Sequence, residues 1–225
     1  MHNIKGFIET SFVDWPGRTC AVLFLGGCNF RCPFCHNHPL VLHPAELVSF
    51  TIAEIIARLH PLRKWLGGVC ISGGEPTLDP HLPELLRILR REGFAAKLDT
   101  NGSQPAILAE LLADGLLAMV AMDVKTVLVQ ESYNRCTGTQ VDLLSIGKSI
   151  ELLKHSGVAH EFRMTILPRY HARTDIVAWA DTLGRDGSCL KLQNYNPGSV
   201  LAPDLAGGRG FTPAEFAELA NLVRS

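Results

Sequence analysis

Two patterns of apolar and polar positions alternate along the chain. Short, nearly continuous apolar runs occupy 20–25, 68–72, 95–99, 117–123, 161–167 and 189–193. Runs of this kind fit strands buried on both faces, as in a parallel sheet. Between them lie segments whose apolar residues recur three and four apart, which predicts helices over 51–65, 81–91, 104–113, 141–155 and 174–183. Ile52, Ile55, Ile56 and Leu59 make the apolar face of the first helix, behind a capping box of Thr51 and Glu54. Ser156-Gly157 closes the fourth, and Thr212 caps a last helix that has Pro213 in its first position. Residues 3–19 read as an N-terminal ribbon, with Phe7, Ile8, Phe12 and Val13 broken by the turn signal Asp14-Trp15-Pro16-Gly17. Residues 197–211, with Gly207, Gly208 and Gly210, read as one long loop.

A strand–loop–helix unit thus recurs about six times, the pattern of a parallel sheet covered by helices. That is too few for the usual closed eight-strand barrel. The expected fold class is α/β, a curved, open, TIM-like partial (β/α)6 barrel; a flat doubly wound sheet is the alternative. The expected organisation is a single domain over 1–225, with the ribbon at 1–19, the barrel core at 20–196, and the loop and last helix at 197–225.

Composition narrows the function. The chain has 225 residues, 47% of them hydrophobic, enough for a core. Lys and Arg number 21 against 22 Asp and Glu, for a net charge of −1. That gives no electrostatic case for nucleic acid or a membrane as partner. No apolar run approaches the length of a membrane span. The start, Met1-His2-Asn3-Ile4-Lys5, lacks the apolar core of a signal peptide. Seven cysteines, an odd number without a secretory signal, argue against a disulfide framework and for a cytoplasmic location. Cys20, Cys70 and Cys189 fall in apolar runs and read as small core residues, while Cys136 reads as a loop residue.

The other three cysteines carry the chemistry. Cys28, Cys32 and Cys35 lie in the loop 26–37, directly after the first buried strand, spaced C-x3-C-x2-C. Thiolates packed this densely make a soft-metal site. Structural zinc wants four closed ligands, and His36 would complete a Cys3His set. Ordinary iron–sulfur clusters also take four cysteines. Three thiolates on a four-iron cluster would leave one iron open to a substrate, and an unligated cysteine cluster is the remaining reading. Ser72-Gly73-Gly74-Glu75-Pro76 follows the second strand. Its glycines permit close backbone approach to a ligand, and its carboxylate can accept from an ammonium group; a tight turn is the plain reading. Asp99 and Asp123 end strands and would face the same mouth, as an acid–base pair, a cation site or two helix caps. Arg163 reads either as a salt-bridged core-edge residue or as a ligand contact.

These segments together resemble the radical S-adenosylmethionine (SAM) enzymes. The loop Cys28-Asn-Phe-Arg-Cys32-Pro-Phe-Cys35-His36-Asn37 is similar to their cluster loop, with Phe34 in the aromatic position near the adenine. The resemblance implies a [4Fe–4S] cluster on Cys28, Cys32 and Cys35 as the catalytic centre, SAM on its open iron, and reductive cleavage to a 5′-deoxyadenosyl radical. It further implies that Gly73, Gly74 and Glu75 hold the SAM amino group. Leu98-Asp99-Thr-Asn101-Gly102 and Met122-Asp123-Val-Lys125 resemble segments of glycyl-radical-enzyme activases. There the two aspartates help bind a monovalent cation beside the SAM carboxylate and the lysine reaches SAM; Asn101 and Arg163 join this pocket by the same resemblance. Residues 6–17, 35–37, 71–76, 97–102, 121–125 and 161–163 together look most like activases of anaerobic ribonucleoside-triphosphate reductase. That implies a glycyl radical enzyme as partner and reduced flavodoxin or ferredoxin as electron donor. Tyr195 is followed by Asn196, where some activases have a histidine. The alternatives are an activase of formate-lyase type, a radical SAM enzyme acting on a small molecule such as a deazapurine precursor (7-carboxy-7-deazaguanine synthase-like), or a cluster or zinc protein without turnover.

Overall fold

The computed structural model describes residues 2–184 and 187–224. Seven strands form one sheet in the order of the chain, from β1 (Ile4–Ser11) through β2 (Cys20–Leu25), β3 (Gly68–Gly73), β4 (Ala96–Thr100), β5 (Met119–Asp123) and β6 (Ala159–Ile166) to β7 (Cys189–Asn194). β1 pairs antiparallel with β2, and the six strands from β2 to β7 are parallel. The sheet is not closed, since β1 and β7 end it on opposite edges. The open six-unit barrel expected from the sequence is therefore the fold, with β1 as the ribbon that covers one edge.

Helices α1 (His38–Leu42), α2 (Ile52–Leu59), α3 (Leu82–Arg91), α4 (Pro105–Ala113), α5 (Gln130–Thr137), α6 (Leu143–His155), α7 (Arg173–Gly184) and α8 (Pro213–Arg224) join and cover the strands. The Thr51–Glu54 capping box starts α2, with Thr51 Oγ1 accepting from the Glu54 N–H at 3.2 Å. α2 stops at Leu59 and runs into a short 3-10 turn at His60–Leu62, so the helical spacing over 51–65 covers two elements. The core lies between the sheet and its helices, where Leu23, Ile71, Leu98, Val120 and Phe162 meet Ile55, Leu85, Leu111, Ile150 and Trp179. A smaller cluster of Trp15, Cys20, Val22 and Cys70 lies apart from it.

Two cysteines sit where the sequence did not put them. Cys189 is exposed, because its end of β7 lies on an edge strand. Cys136 is fully buried on α5, a helix whose polar sequence shows no apolar period. The 197–211 segment is a loop but is held down: Leu201 N–H donates to Cys35 O at 3.1 Å and Ala202 N–H to Pro33 O at 2.9 Å. It thereby backs the cysteine loop. Among the described residues, no helix is long and apolar enough to cross a membrane.

Candidate active site

The cysteine loop leaves β2 at its C-terminal end, where parallel barrels place their chemistry. Gly27 takes φ of 88°, a left-handed turn that glycine adopts without strain. Arg31 then staples the loop from inside, with Nη1 donating to Cys28 O at 2.6 Å and Phe30 O at 2.8 Å. Its backbone N–H donates to Thr137 O at 2.7 Å, which ties the loop to the end of α5. Gly138, at φ of 66°, ends that helix against the Arg31 carbonyl, where a Cβ would collide.

The Gly73-Gly74 pair explains itself in the same way. A Cβ on Gly73 would strike the Leu25 backbone, and one on Gly74 would strike the Gly27 carbonyl. Without side chains, Gly74 N–H donates to Leu25 O at 2.9 Å and Glu75 N–H to Gly27 O at 2.8 Å. The glycines therefore lock the end of β3 to the cysteine loop, and both still line the cavity in front of it. Glu75 does not line it. Its carboxylate is buried and accepts from Thr77 N–H at 3.1 Å, Thr77 Oγ1 at 2.5 Å, Thr100 Oγ1 at 2.7 Å and Asn101 N–H at 2.6 Å. Burial pushes its pKa up, against the pull of these donors. The side chain thus braces the turn after β4 instead of facing a ligand. Asn101 carries that brace onward, with Nδ2 at 2.9 Å from Asn29 Oδ1 and 3.9 Å from Cys28 Sγ.

One cavity of about 470 Å³ gathers Cys28, Cys32, Phe34, Cys35, Gly73, Gly74, Asp99, Asn101, Asp123, Lys125 and Arg163. Its size suits a drug-sized ligand. Of the residues expected at the site, only Glu75 stands behind its wall. Phe34 is buried edge-on to Tyr170 and His171, at centroid distances of 5.7 and 6.2 Å. His171, which nothing in the sequence marked, has Nε2 2.8 Å from the Lys125 carbonyl oxygen and so fixes the backbone at Lys125. Lys97, inside the 97–102 segment but given no role there, is fully buried and ion-paired to Asp99. Its signal was parity: two residues before Asp99 on one strand, it shares that face. A separate depression of about 540 Å³, lined by Thr77, His81, Arg87 and Gln104, contains no cysteine.

The donor set fits a cluster. The three thiols share one cavity. Thiolates that each hold a different iron spread around a cubane instead of meeting at one point. No fourth cysteine lines the cavity among the described residues, and His36 Nε2 lies 2.8 Å from Asn196 O. Burial pushes the metal-free thiols up, Cys28 to about 11 and Cys32 to about 12, so metal loading must expel their protons.

On the other wall, cations and carboxylates interlock. Arg163 Nε lies 2.9 Å from Asp123 Oδ1, and its Nη1 3.4 Å from Asp99 Oδ2. Lys125 Nζ lies 2.9 Å from Asp123 Oδ2. Burial alone would raise the Asp123 pKa, but Arg163 and Lys125 outweigh it and hold the carboxyl below the usual range. Lys125 and Arg163 are correspondingly held above theirs, against burial, chiefly by Asp123. Every carboxylate oxygen of Asp99 and Asp123 faces a side-chain cation.

Three thiols lie at the end of the first barrel strand, on an open parallel half-barrel with a polar cavity before them, an arrangement that suits a cluster enzyme. Residues 22–179 match the family profile of the Radical SAM superfamily, and the chain belongs to that superfamily. It is a radical SAM enzyme, and its cofactors are a [4Fe–4S] cluster and SAM. Among relatives, a candidate glycyl-radical enzyme activating enzyme of Methanocaldococcus jannaschii is 33% identical over 197 residues, covering 86% of this chain and 80% of that protein. The pyruvate formate-lyase-activating enzyme of Clostridium pasteurianum is 32% identical over 144 residues, 61% of this chain and 58% of that one. Streptococcus suis SuiB bound to S-adenosylmethionine shares the fold, with a TM-score of 0.70 at 17% identity, over 88% of this chain and 44% of SuiB.

Proposed function

We propose that this chain is a glycyl-radical-enzyme activase and that its partner is anaerobic ribonucleoside-triphosphate reductase. The observation that carries the activase reading is the likeness to the Methanocaldococcus protein across 86% of the chain. The choice of partner rests on the joint resemblance of the motifs at 6–17, 71–76, 97–102 and 121–125. Bound at the cavity, the cluster and SAM would supply one-electron chemistry: an electron from reduced flavodoxin or ferredoxin would cleave SAM to methionine and a 5′-deoxyadenosyl radical, and taking a glycine Cα hydrogen would leave 5′-deoxyadenosine and the glycyl radical.

The chain's own residues bind and orient. Cys28, Cys32 and Cys35 hold three irons. The half-buried Gly73 and Gly74, which line the cavity, would receive the SAM ammonium, as the sequence resemblance implies for this loop. Phe34 walls off the adenine. Lys125 and Arg163, kept charged by Asp123, receive the SAM carboxylate. Glu75 works indirectly, through Asn101, by holding the turn that touches Cys28. The open side between β1 and β7 suits a partner that must insert a peptide loop.

The test is anaerobic. Reduced, iron-loaded enzyme is mixed with SAM and with one candidate partner at a time, and EPR is recorded. A glycyl doublet in anaerobic ribonucleotide reductase supports the full reading. A doublet confined to a formate-lyase-type protein keeps the activase and replaces the partner. Turnover of a small deazapurine precursor, with no doublet in any protein, overturns the activase reading.

A further inference from the structure

Three neighbouring strands turn ionisable side chains toward the barrel interior. β4 carries Lys97 and Asp99, β5 ends in Asp123 with Lys125 just beyond, and β6 carries Glu161 and Arg163. Register brings them together, with Asp99 beside Ala121 and Asp123 beside Arg163. Lys97 has no exposed surface; Nζ pairs with Asp99 Oδ1 and lies 3.8 Å from Cys70 Sγ. Arg163 spans the two aspartates and Lys125 takes the last oxygen. Glu161 is buried two residues before Arg163 and acts on it electrostatically. Each oxygen of Asp99 and Asp123 thus already has a side-chain cation beside it.

An alkali-metal ion at Asp99 and Asp123 would have to displace Lys97, Lys125 or Arg163 from a carboxylate oxygen that it already holds. The ion would also surrender its water to oxygens that are already engaged.

We propose that Lys97 and Arg163 are the built-in cations of this site and that SAM binds here without a bound alkali-metal ion. Lys97 is then a positioning residue: it is ion-paired to Asp99, and Asp99 to Arg163, whose guanidinium faces the cavity. The inference rests on SAM occupying that cavity.

The experiment is calorimetric titration of SAM into the iron-loaded enzyme in potassium, sodium or tetramethylammonium salts at equal ionic strength. The expected result is a dissociation constant that changes by less than about twofold across the three media, within about 0.4 kcal/mol. A loss of about tenfold or more in tetramethylammonium overturns the inference. Lys97→Met strips Asp99 Oδ1 of its partner and should weaken SAM binding. Added potassium or sodium should restore it and tetramethylammonium should not. A purely structural lesion would answer to none of them, and that result overturns the positioning role. If the variant does not fold, the parent enzyme's titrations still decide. Absence of SAM binding in every medium overturns the SAM reading of the cavity; binding that depends on potassium or sodium overturns the inference alone.

Discussion

Replacing Gly74 with alanine tests whether the glycine pair is there for the cysteine loop. The added methyl would meet the Gly27 carbonyl, which is backbone and cannot swing aside. Relief requires β3 and the loop to part, and the first bond to go is Glu75 N–H to Gly27 O, 2.8 Å in the native arrangement. Overpacking of this kind costs about 1–3 kcal/mol and a lost buried hydrogen bond about 1 more. The expected destabilisation is therefore about 2–4 kcal/mol. With a urea slope of about 3 kcal/mol per molar, the unfolding midpoint drops by about 1 M. Gly147→Ala is the matched control, since a methyl there meets nothing within 4 Å and the site lies inside α6. It should stabilise by about 0.4–1 kcal/mol. Both are measured on protein in one loading state under strict reduction, with iron content alongside. If Gly74→Ala unfolds within about 0.5 kcal/mol of the parent and loads iron normally, the close approach is not what requires glycine, and a ligand-facing role alone would remain.

Cys32→Ala should abolish cluster assembly while Cys70→Ala, a fully buried residue beside Lys97, leaves about four irons per chain; iron analysis decides, and equal loss would mean that the ligands are wrongly assigned. Arg163→Met leaves the buried Asp99 and the half-buried Asp123 without their shared cation, each keeping one lysine, and should cost about 1–3 kcal/mol in chemical denaturation, so a loss under about 0.5 kcal/mol would show that water already screens the pair. The thiol pKa values are raised on folding from 9.0, to about 11 for Cys28 and about 12 for Cys32. The folded form therefore holds these protons more tightly than the unfolded chain, so stability of the metal-free protein should be fully present below pH 9 and fall as pH rises toward 11. Iron loading should move the other way, strengthening as pH rises because each thiol must lose a proton; pH-independent unfolding and loading would contradict the burial of these sulfurs.

How much of this was legible from the sequence differs by element. The six parallel strands were readable because burial on both faces writes itself as an unbroken apolar run, as in Cys20–Leu25. α5 was not, because Gln130–Thr137 has no apolar stripe; Tyr133, Cys136 and Thr137 are nonetheless buried, and the Arg31 N–H and Gly138 join that helix to the cysteine loop. Glu75 was recognised with its motif, but not the direction of its side chain, since Thr100 and Asn101 approach it from 25 and 26 residues away.

What the amino-acid order settles by itself is local: the spacing of Cys28, Cys32 and Cys35 on a loop after a buried strand, which together with the neighbouring motifs carries the resemblance to cluster enzymes. Which charges neutralise which is another matter. Lys97, Asp99, Asp123 and Arg163 lie on three strands, up to 64 residues apart within one ion pair, and they meet only because the strands align in one register. Ion pairing falls off over a few ångströms, and no spacing along the chain encodes a distance across a sheet. The tertiary structure alone therefore decides that the two aspartates face protein cations.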